Sequence, residues 1–486
     1  MSELLEKARE YERRAAERES SLRPVYHFSN PVGWMNDPNG FSEYKGEHHL
    51  FYQYYPYATH GGPMHWGHAR SRDFIRWEYL PAALAPDQEY DGSGIFSGSA
   101  LEDGEKHVLI YTGVKETVTP EGDMLTLQQQ CIAVGDGVNY EKISENPVIT
   151  AELLPEGSSR TDFRDPKIWK EDGRYFVAAA NRSGDGSGQI ALFYSDNLRD
   201  WKPGGILDRS ENRLGRMWEC PDFFPLGDSH ILLISPQEMY ARELEFHNGN
   251  NTAFLCGKYE KETMGFIRTG VQCADYGLDF YAPQTMLTRD GRRILIGWMQ
   301  SWDNPMYPAD FTWSGMMTVP RELRLQEGRV YQQPVRELEN YYKNTVEYSQ
   351  VCIEQETALE GIRGRTVDLQ LDIQDSGFRK CRIKLASGQG LYTEIIYDRE
   401  EGLLTFDRTF SGHRQDIIST RSMKAAGREG VLKLRILLDR YSVEIFVNQG
   451  EKVMTSLIYT PQSADAITFS GSGRVFMDVK LHEIQV

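Results

Sequence analysis

Five stretches of this chain follow one plan, and that repetition limits the fold more than any other feature. DPNGFSEYKGEHHLFYQY, FSGSALEDGEKHVLIYTG, DPKIWKEDGRYFVAAAN, CPDFFPLGDSHILLISP and APQTMLTRDGRRILIGW each pass from an entry turn through a short strand and a glycine turn into an apolar strand. The residues opening the units are Asp37, Ser97, Asp165, Glu219 and Tyr281, and the turn glycines are Gly46, Gly104, Gly173, Gly227 and Gly291. A second landmark closes each unit: Trp77, Tyr140, Trp201, Phe266 and Tyr331 are expected on its last strand. Both sets recur roughly every 60 residues. Units of about four strands at such a period pack their faces against one another around an axis, as a five-bladed β-propeller. An irregular sandwich with chance spacing is the competing reading, because regular strand spacing alone does not separate the two. In a propeller the innermost strands converge, so Asp37, Asp165 and Glu219 are expected to meet in one funnel.

The period stops after Gln333-Pro334. Strict alternation takes over, as in Thr366-Val367-Asp368-Leu369-Gln370-Leu371 and Tyr441-Ser442-Val443-Glu444-Ile445-Phe446-Val447, which means strands buried on one face only. Roughly six to ten such strands, with hairpin turns expected at Asn448-Gln449-Gly450 and Gly471-Ser472-Gly473, suggest an antiparallel sandwich. Ahead of the repeats, residues 2–20 read as a solvated helix that Ser2 caps, with Leu4, Leu5, Ala8 and Tyr11 as its apolar stripe. The expected fold class is all-β: a five-bladed β-propeller followed by a C-terminal antiparallel β-sandwich, with a short N-terminal helix. The expected divisions are a helical extension at 1–22, the propeller at 23–336, a polar linker at 337–349 and the sandwich at 350–486.

Composition removes several function classes. At 486 residues the chain can bury a large core, and its six cysteines form no CxxC pair, so neither a disulfide framework nor a zinc site is indicated. A formal charge of −17 repels phosphate backbones, and no apolar stretch approaches membrane-spanning length. Nucleic acid and membrane are not expected partners. The first twenty residues are dense in Glu and Arg with no apolar run, which points to the cytoplasm.

Three carboxylates facing one funnel have three ordinary readings: a metal site, an ion-pair network, or acid/base work on a glycosidic bond. Calcium takes several closely spaced oxygen ligands, whereas these acids each sit alone among aromatics and amides. An ion-pair network needs a base near each acid, and only Asp165 has one adjacent, Arg164. Glycosidic chemistry fits better, since it requires one ionised carboxylate and another that carries a proton. Glu219, between Trp218 and Cys220-Pro221-Asp222, is expected in a partly apolar setting beside a like charge, both of which raise a carboxyl pKa. Asp37, in a turn rich in amide donors (Asn36, Asn39), is expected to stay ionised, and Asp165, paired with Arg164, to grip hydroxyls. Trp34, Trp66, Trp218 and Trp298 either line the cleft or fill blade cores, the commoner fate of a blade aromatic.

The ordered set WMNDPNG (34–40), FYQY (51–54), WGH (66–68), FSGSA (96–100), FRDP (163–166), WECPD (218–222) and YAPQT (281–285) resembles glycoside hydrolase family 32, the invertases, sucrose-6-phosphate hydrolases and fructan β-fructosidases. LDRYSVEIFVNQG near the C-terminus is similar to that family's sandwich domain. The resemblance implies the same propeller-plus-sandwich fold and a retaining β-fructofuranosidase acting on sucrose, its 6-phosphate or short fructans. It implies Asp37 as nucleophile, Glu219 as acid/base and Asp165 as transition-state stabiliser, with Asn36, Gln53, Trp66, Phe96, Ser97, Arg164, Tyr281 and Trp298 around the fructosyl ring. No family motif calls for a metal or an organic cofactor. A small sugar is the expected partner, and a homodimer is the simplest assembly to consider. Tyr55 stands where the family usually has Asn, and Arg70 and Arg72 fall in a variable segment, which leaves the leaving-group side open. If the substrate is phosphorylated, Arg70, Arg72 and Arg160 are the candidate phosphate contacts. Rival readings are a fructan-preferring or transfructosylating enzyme and a sugar-binding propeller without catalysis.

Overall fold

The computed structural model describes residues 2–16, 23–304, 311–413 and 417–486. Five four-strand units lie in sequence order around an axis. Blade I runs Gly33–Tyr44, Glu47–Tyr55, His65–Ser71 and Trp77–Leu84; blade II runs Gly94–Asp103, Lys106–Val118, Met124–Gly135 and Tyr140–Lys142. Blade III comprises Phe163–Glu171, Arg174–Arg182, Gly188–Ser195 and Trp201–Arg209, and blade IV comprises Met217–Leu226, Ser229–Gln237, Ala253–Glu260 and Gly265–Cys273. Blade V is Tyr281–Leu287, Arg293–Trp298, Arg321–Gln326 and Arg329–Pro334. The first strands touch one another in the cycle I–II–III–IV–V–I, which closes the ring. All five unit-opening residues lie on these innermost strands, and Trp77, Tyr140, Trp201, Phe266 and Tyr331 all lie on the outermost ones. Second strands such as HLFYQY, VLIYTG and ILLISP are buried without a break because a blade is covered on both faces. Between the second and third strands of blade V the chain crosses to blade I, where Trp313–Ser314 pairs in parallel with Gly33 and Trp34. Gly33 is required at that crossing: its φ is +75°, and a Cβ there would lie 2.2 Å from the Tyr55 carbonyl oxygen.

Two stacked sheets form the second unit, one of six strands and one of five. The expected alternation is visible in Val367–Gln374, whose apolar residues are buried and whose polar residues are mostly half-exposed. Residues 337–349, read from the sequence as a linker, are instead built into structure. A 3-10 turn, Arg336–Tyr341, leads straight into the strand Tyr342–Ile353, which pairs with the last strand, Val475–Ile484. The Asn448-Gln449-Gly450 turn does join a hairpin, Ser442–Val447 with Lys452–Leu457. Gly471-Ser472-Gly473 does not: the strands on its two sides belong to different sheets, so this turn crosses between layers.

The two units are held together by buried charge. His27 lies between Asp439 and Glu444, with Nδ1 2.9 Å from Asp439 Oδ2 and Nε2 2.8 Å from Glu444 Oε1. Arg321, fully buried, donates to Glu444, Asp275, Gln332 and Thr455.

The N-terminal helix spans Glu3–Ala16, and the Leu5 N–H reaches the Ser2 hydroxyl at 3.3 Å; residues 17–20 of the expected helix lie outside the described residues. Its buried stripe is Leu5, Ala8 and Glu12, packed on the outer strand of blade I, while Leu4 and Tyr11 are exposed. Glu12 accepts the Ala82 N–H at 3.0 Å, and burial raises its pKa to about 7.

Candidate active site

Every innermost strand breaks register at the same level: between Met35 and Pro38, Phe96 and Gly98, Arg164 and Lys167, Glu219 and Asp222, and Tyr281 and Gln284. In a regular strand consecutive side chains face opposite sides, but a bulge re-aims them. Neighbouring residues therefore turn into the funnel together and make two stacked rings. One ring holds Asn36, Phe96, Arg164, Glu219 and Tyr281, and the next holds Asp37, Ser97, Asp165, Cys220 and Ala282. This corrects the sequence reading at two of the five openers, since Glu219 and Tyr281 stand one residue ahead of the positions equivalent to Asp37. It also places Asp37 on a bulged strand rather than in a separate turn.

Hydrogen bonds run along both rings. In the first, Arg164 Nε donates to Glu219 Oε1 at 3.0 Å, and Tyr281 OH reaches Glu219 Oε2 at 2.7 Å. Gln237, at the end of the second strand of blade IV, adds a third donor to Glu219 at 2.8 Å. In the second ring, Ser97 Oγ donates to Asp37 Oδ2 at 2.6 Å. The Cys220 N–H donates to Asp165 Oδ2 at 3.0 Å, and its Sγ lies 3.4 Å from Asp37 Oδ2 and 3.7 Å from Asp165 Oδ2. Asn36 links the rings, donating to Asp37 Oδ1 at 3.2 Å while accepting from the Trp34 indole. Gln53, opposite the bulge of blade I, packs 3.1 Å from Ser97 Oγ.

Crowding of the acids governs their proton affinity. Burial first, and the Glu219 charge second, push Asp37 above the usual carboxylate range; Ser97, Asn36 and Cys220 oppose the rise. Asp165 is raised to about 7 by burial and by Glu219, against the pull of Arg164. Burial works against the Arg164 charge, but Glu219, Asp165 and Asp162 outweigh it and hold the guanidinium above its ordinary value.

Three expectations about these groups are overturned. Glu219 is met by three donors rather than by an apolar wall. Its supposed like-charged neighbour, Asp222, faces away and is tied to Lys167 Nζ at 3.0 Å and the Thr285 N–H at 2.6 Å. Arg164 donates to Glu219, Asp162 and Gln128 rather than to Asp165.

Around the rings the structure separates lining from packing. Phe96 is half-buried at the funnel, but Trp66 is fully buried, and its indole N–H holds the Phe96 carbonyl at 3.1 Å. Trp218 is likewise a core residue bonded to the Leu214 carbonyl. Trp298 is buried against Trp34 and Trp302, with ring centroids 6.0 and 4.8 Å away. Trp302, stacked on Trp34 and 46% exposed, was not singled out from the sequence; neither were Cys220 and Gln237. Of these, only Cys220 had a readable signal, because it precedes a proline as Asp37 and Asp165 do. Arg70 and Arg72 are excluded as substrate contacts. Arg70 pairs across from His49, four residues from the Gln53–Trp66 level, which is roughly 13 Å along the blade toward its far edge. Both arginines are bound to Glu47, and Arg70 also to Glu78. Arg160 pairs with Glu152. Among the described residues, no group of three or more His, Cys, Asp and Glu could hold a metal ion, and no helix is long and apolar enough to cross a membrane.

Known proteins share much of this chain's sequence and its overall fold. The raffinose invertase of Escherichia coli is 38% identical over 454 residues, spanning 93% of this chain and 92% of its own length. The sucrose-6-phosphate hydrolase of the same species is 36% identical over 460 residues, with 94% and 93% covered. Among solved structures, a Bombyx mori GH32 β-fructofuranosidase in complex with sucrose superposes with a TM-score of 0.87 at 35% identity, covering 99% of this chain and 98% of the other. Residues 27–334 match the family model "Glycosyl hydrolases family 32 N-terminal domain" and residues 337–486 match "Glycosyl hydrolases family 32 C terminal". With its carboxylate rings set at the mouth of a five-bladed propeller, this chain belongs to glycosyl hydrolase family 32.

Proposed function

We propose that the protein is a retaining β-fructofuranosidase that releases terminal β-D-fructofuranosyl residues from sucrose, sucrose 6-phosphate or short fructo-oligosaccharides, with water as acceptor. The observation that carries this reading is the pair of adjoining rings, which offers one carboxylate gripped by hydroxyl and amide donors and a second held by Arg164, Tyr281 and Gln237. Asp37 acts as nucleophile: Ser97 and Asn36 fix its oxygens, so its attack on the anomeric carbon needs little reorganisation. Glu219 protonates the leaving glycosidic oxygen and then takes a proton from water, as a retaining mechanism requires. Asp165, fixed by the Cys220 N–H, faces the ring on which positive charge develops.

The tests are direct. Incubation with sucrose should yield free glucose and fructose. Rapid quenching of Glu219→Gln with an activated fructoside should leave a fructosyl group on the peptide that carries Asp37. An adduct on another peptide, or none while hydrolysis continues, refutes the assignment. We place the reaction in the cytoplasm, because a relative is named for a phosphorylated sugar, and such an anion does not cross a membrane unaided.

A further inference from the structure

The channel has a second mouth. Beyond the carboxylates the inner strands are cross-tied by Gln284, which donates to the Gly98 carbonyl, and by Asn39, which accepts the Gly98 N–H. Past this layer, where the inner strands end, lies a cavity of about 540 Å³ walled by residues of all five blades. That volume is within the ordinary range for small-molecule sites, roughly 300–1,000 Å³.

Arg293 lines this cavity and is half-buried, with its guanidinium over the Phe224 ring at 4.7 Å. Among the described residues its guanidinium reaches Thr285 Oγ1 at a long 3.4 Å, and its Nε has no partner. Beside it, Lys167 Nζ spends two of its three donors on Asp222 and the Thr285 carbonyl. The deep wall therefore holds two cations against one carboxylate. At the mouth Glu43 and Glu102 share the single Arg289, and Glu171 pairs with Lys261, so the cationic surplus is confined to the deep wall. A buried guanidinium N–H without an acceptor is costly to maintain, and its planar fork is shaped for an oxyanion.

We propose that this far mouth is a second ligand site, separate from the hydrolytic one, for a small oxyanion whose charged group meets Arg293 and whose body lies on the Phe224 wall. A phosphate monoester and a carboxylate share this chemistry, and the choice of probes distinguishes them.

The experiment uses the full chain carrying Asp37→Ala, so that turnover does not interfere. Inorganic phosphate, glucose 6-phosphate and benzoate are titrated by calorimetry, alone and in the further presence of Arg293→Gln or Leu287→Glu. Leu287 is an exposed residue at the rim, so its replacement sets a negative charge at the mouth without touching the deep wall. At least one probe should bind, with affinity falling about tenfold or more in Arg293→Gln, as expected for a lost charge-assisted hydrogen bond, and falling also in Leu287→Glu. Preference for phosphate and glucose 6-phosphate over benzoate identifies a phosphate ligand; the reverse identifies a carboxylate. No binding by any probe up to about 10 mM, or binding that both replacements leave unchanged, overturns the proposal.

Discussion

His27 should make the stability of this protein fall on the alkaline side, where no ordinary histidine titrates. Both of its ring nitrogens face carboxylates, so a neutral imidazole would set a lone pair against one of them. Burial alone would lower its pKa, but Asp439 and Glu444 outweigh burial and lift it to about 9. The unfolded chain has the ordinary value near 6.5. The folded state therefore binds this proton more tightly by about 3 kcal/mol. Because the folded pKa lies above the unfolded one, that stabilisation is fully present below about pH 6.5 and is lost as pH rises through about 9. Roughly 2 kcal/mol remains at about pH 7.5, and almost none at about pH 10. His27 and both partner side chains are fully buried, so screening by solvent takes little from the figure. Urea unfolding followed by tryptophan fluorescence at about pH 6, 8 and 10 measures it, with His27→Gln as the reference that removes contributions from other groups. The gap between wild type and variant should shrink by about 3 kcal/mol from the lowest pH to the highest. Parallel curves would mean that His27 is not an imidazolium in the folded protein.

Two further outcomes follow from the rings and the rim. Glu219→Gln should lower kcat/KM on sucrose roughly 10² to 10⁴-fold. In its residual activity on an activated fructoside, the acid limb should move to lower pH, because the Glu219 charge is one of the causes that raise Asp37 and Asp165; an unmoved limb would remove Asp37 from the role of the ionised group. On the substrate side, Arg182 and Arg216 approach opposite oxygens of Glu238, beside the Gln237 that holds Glu219, at 3.9 and 3.8 Å. If sucrose 6-phosphate is the preferred substrate, Arg182→Ala or Arg216→Ala should cut kcat/KM for that sugar several-fold, roughly the worth of an exposed ion pair, and leave sucrose nearly unchanged. Equal losses on the two sugars would count against a phosphate contact at this rim.

The fold was legible because its two parts carry different hydrophobic periods. Blade strands covered on both faces gave runs such as Ile231-Leu232-Leu233-Ile234, and sandwich strands covered on one face gave Val367-Asp368-Leu369-Gln370-Leu371. Local signals failed where tertiary pairing decided the outcome. Nothing in Lys343-Asn344-Thr345 marks a strand, and its side chains are largely exposed; it becomes one because the last strand of the chain lies beside it. The turn at Gly471-Ser472-Gly473 has hairpin chemistry, yet it crosses between sheets because Ala466–Ser472 is paired with Lys380–Gly388.

At the site, residue identity was easier to read than relative position. Asp37-Pro38, Ser97-Gly98, Asp165-Pro166, Cys220-Pro221 and Ala282-Pro283 repeat one pattern, in which the second residue either lacks the N–H that a ladder needs or lacks a side chain. Aligning the units on that pair, rather than on the acids, would have put Cys220 in register with Asp37 and moved Glu219 to the ring of Arg164 and Tyr281. The difference is chemical as well as geometric. A carboxylate in the deeper ring would have joined Asp37 and Asp165 in competing for the same buried protons. One residue earlier, Glu219 instead meets Arg164, Tyr281 and Gln237, while its charge still reaches both aspartates and raises them. The register shift of blade IV thus sets Glu219 among three donors while Asp37 and Asp165 share the other ring, so the three acids occupy two chemically distinct environments.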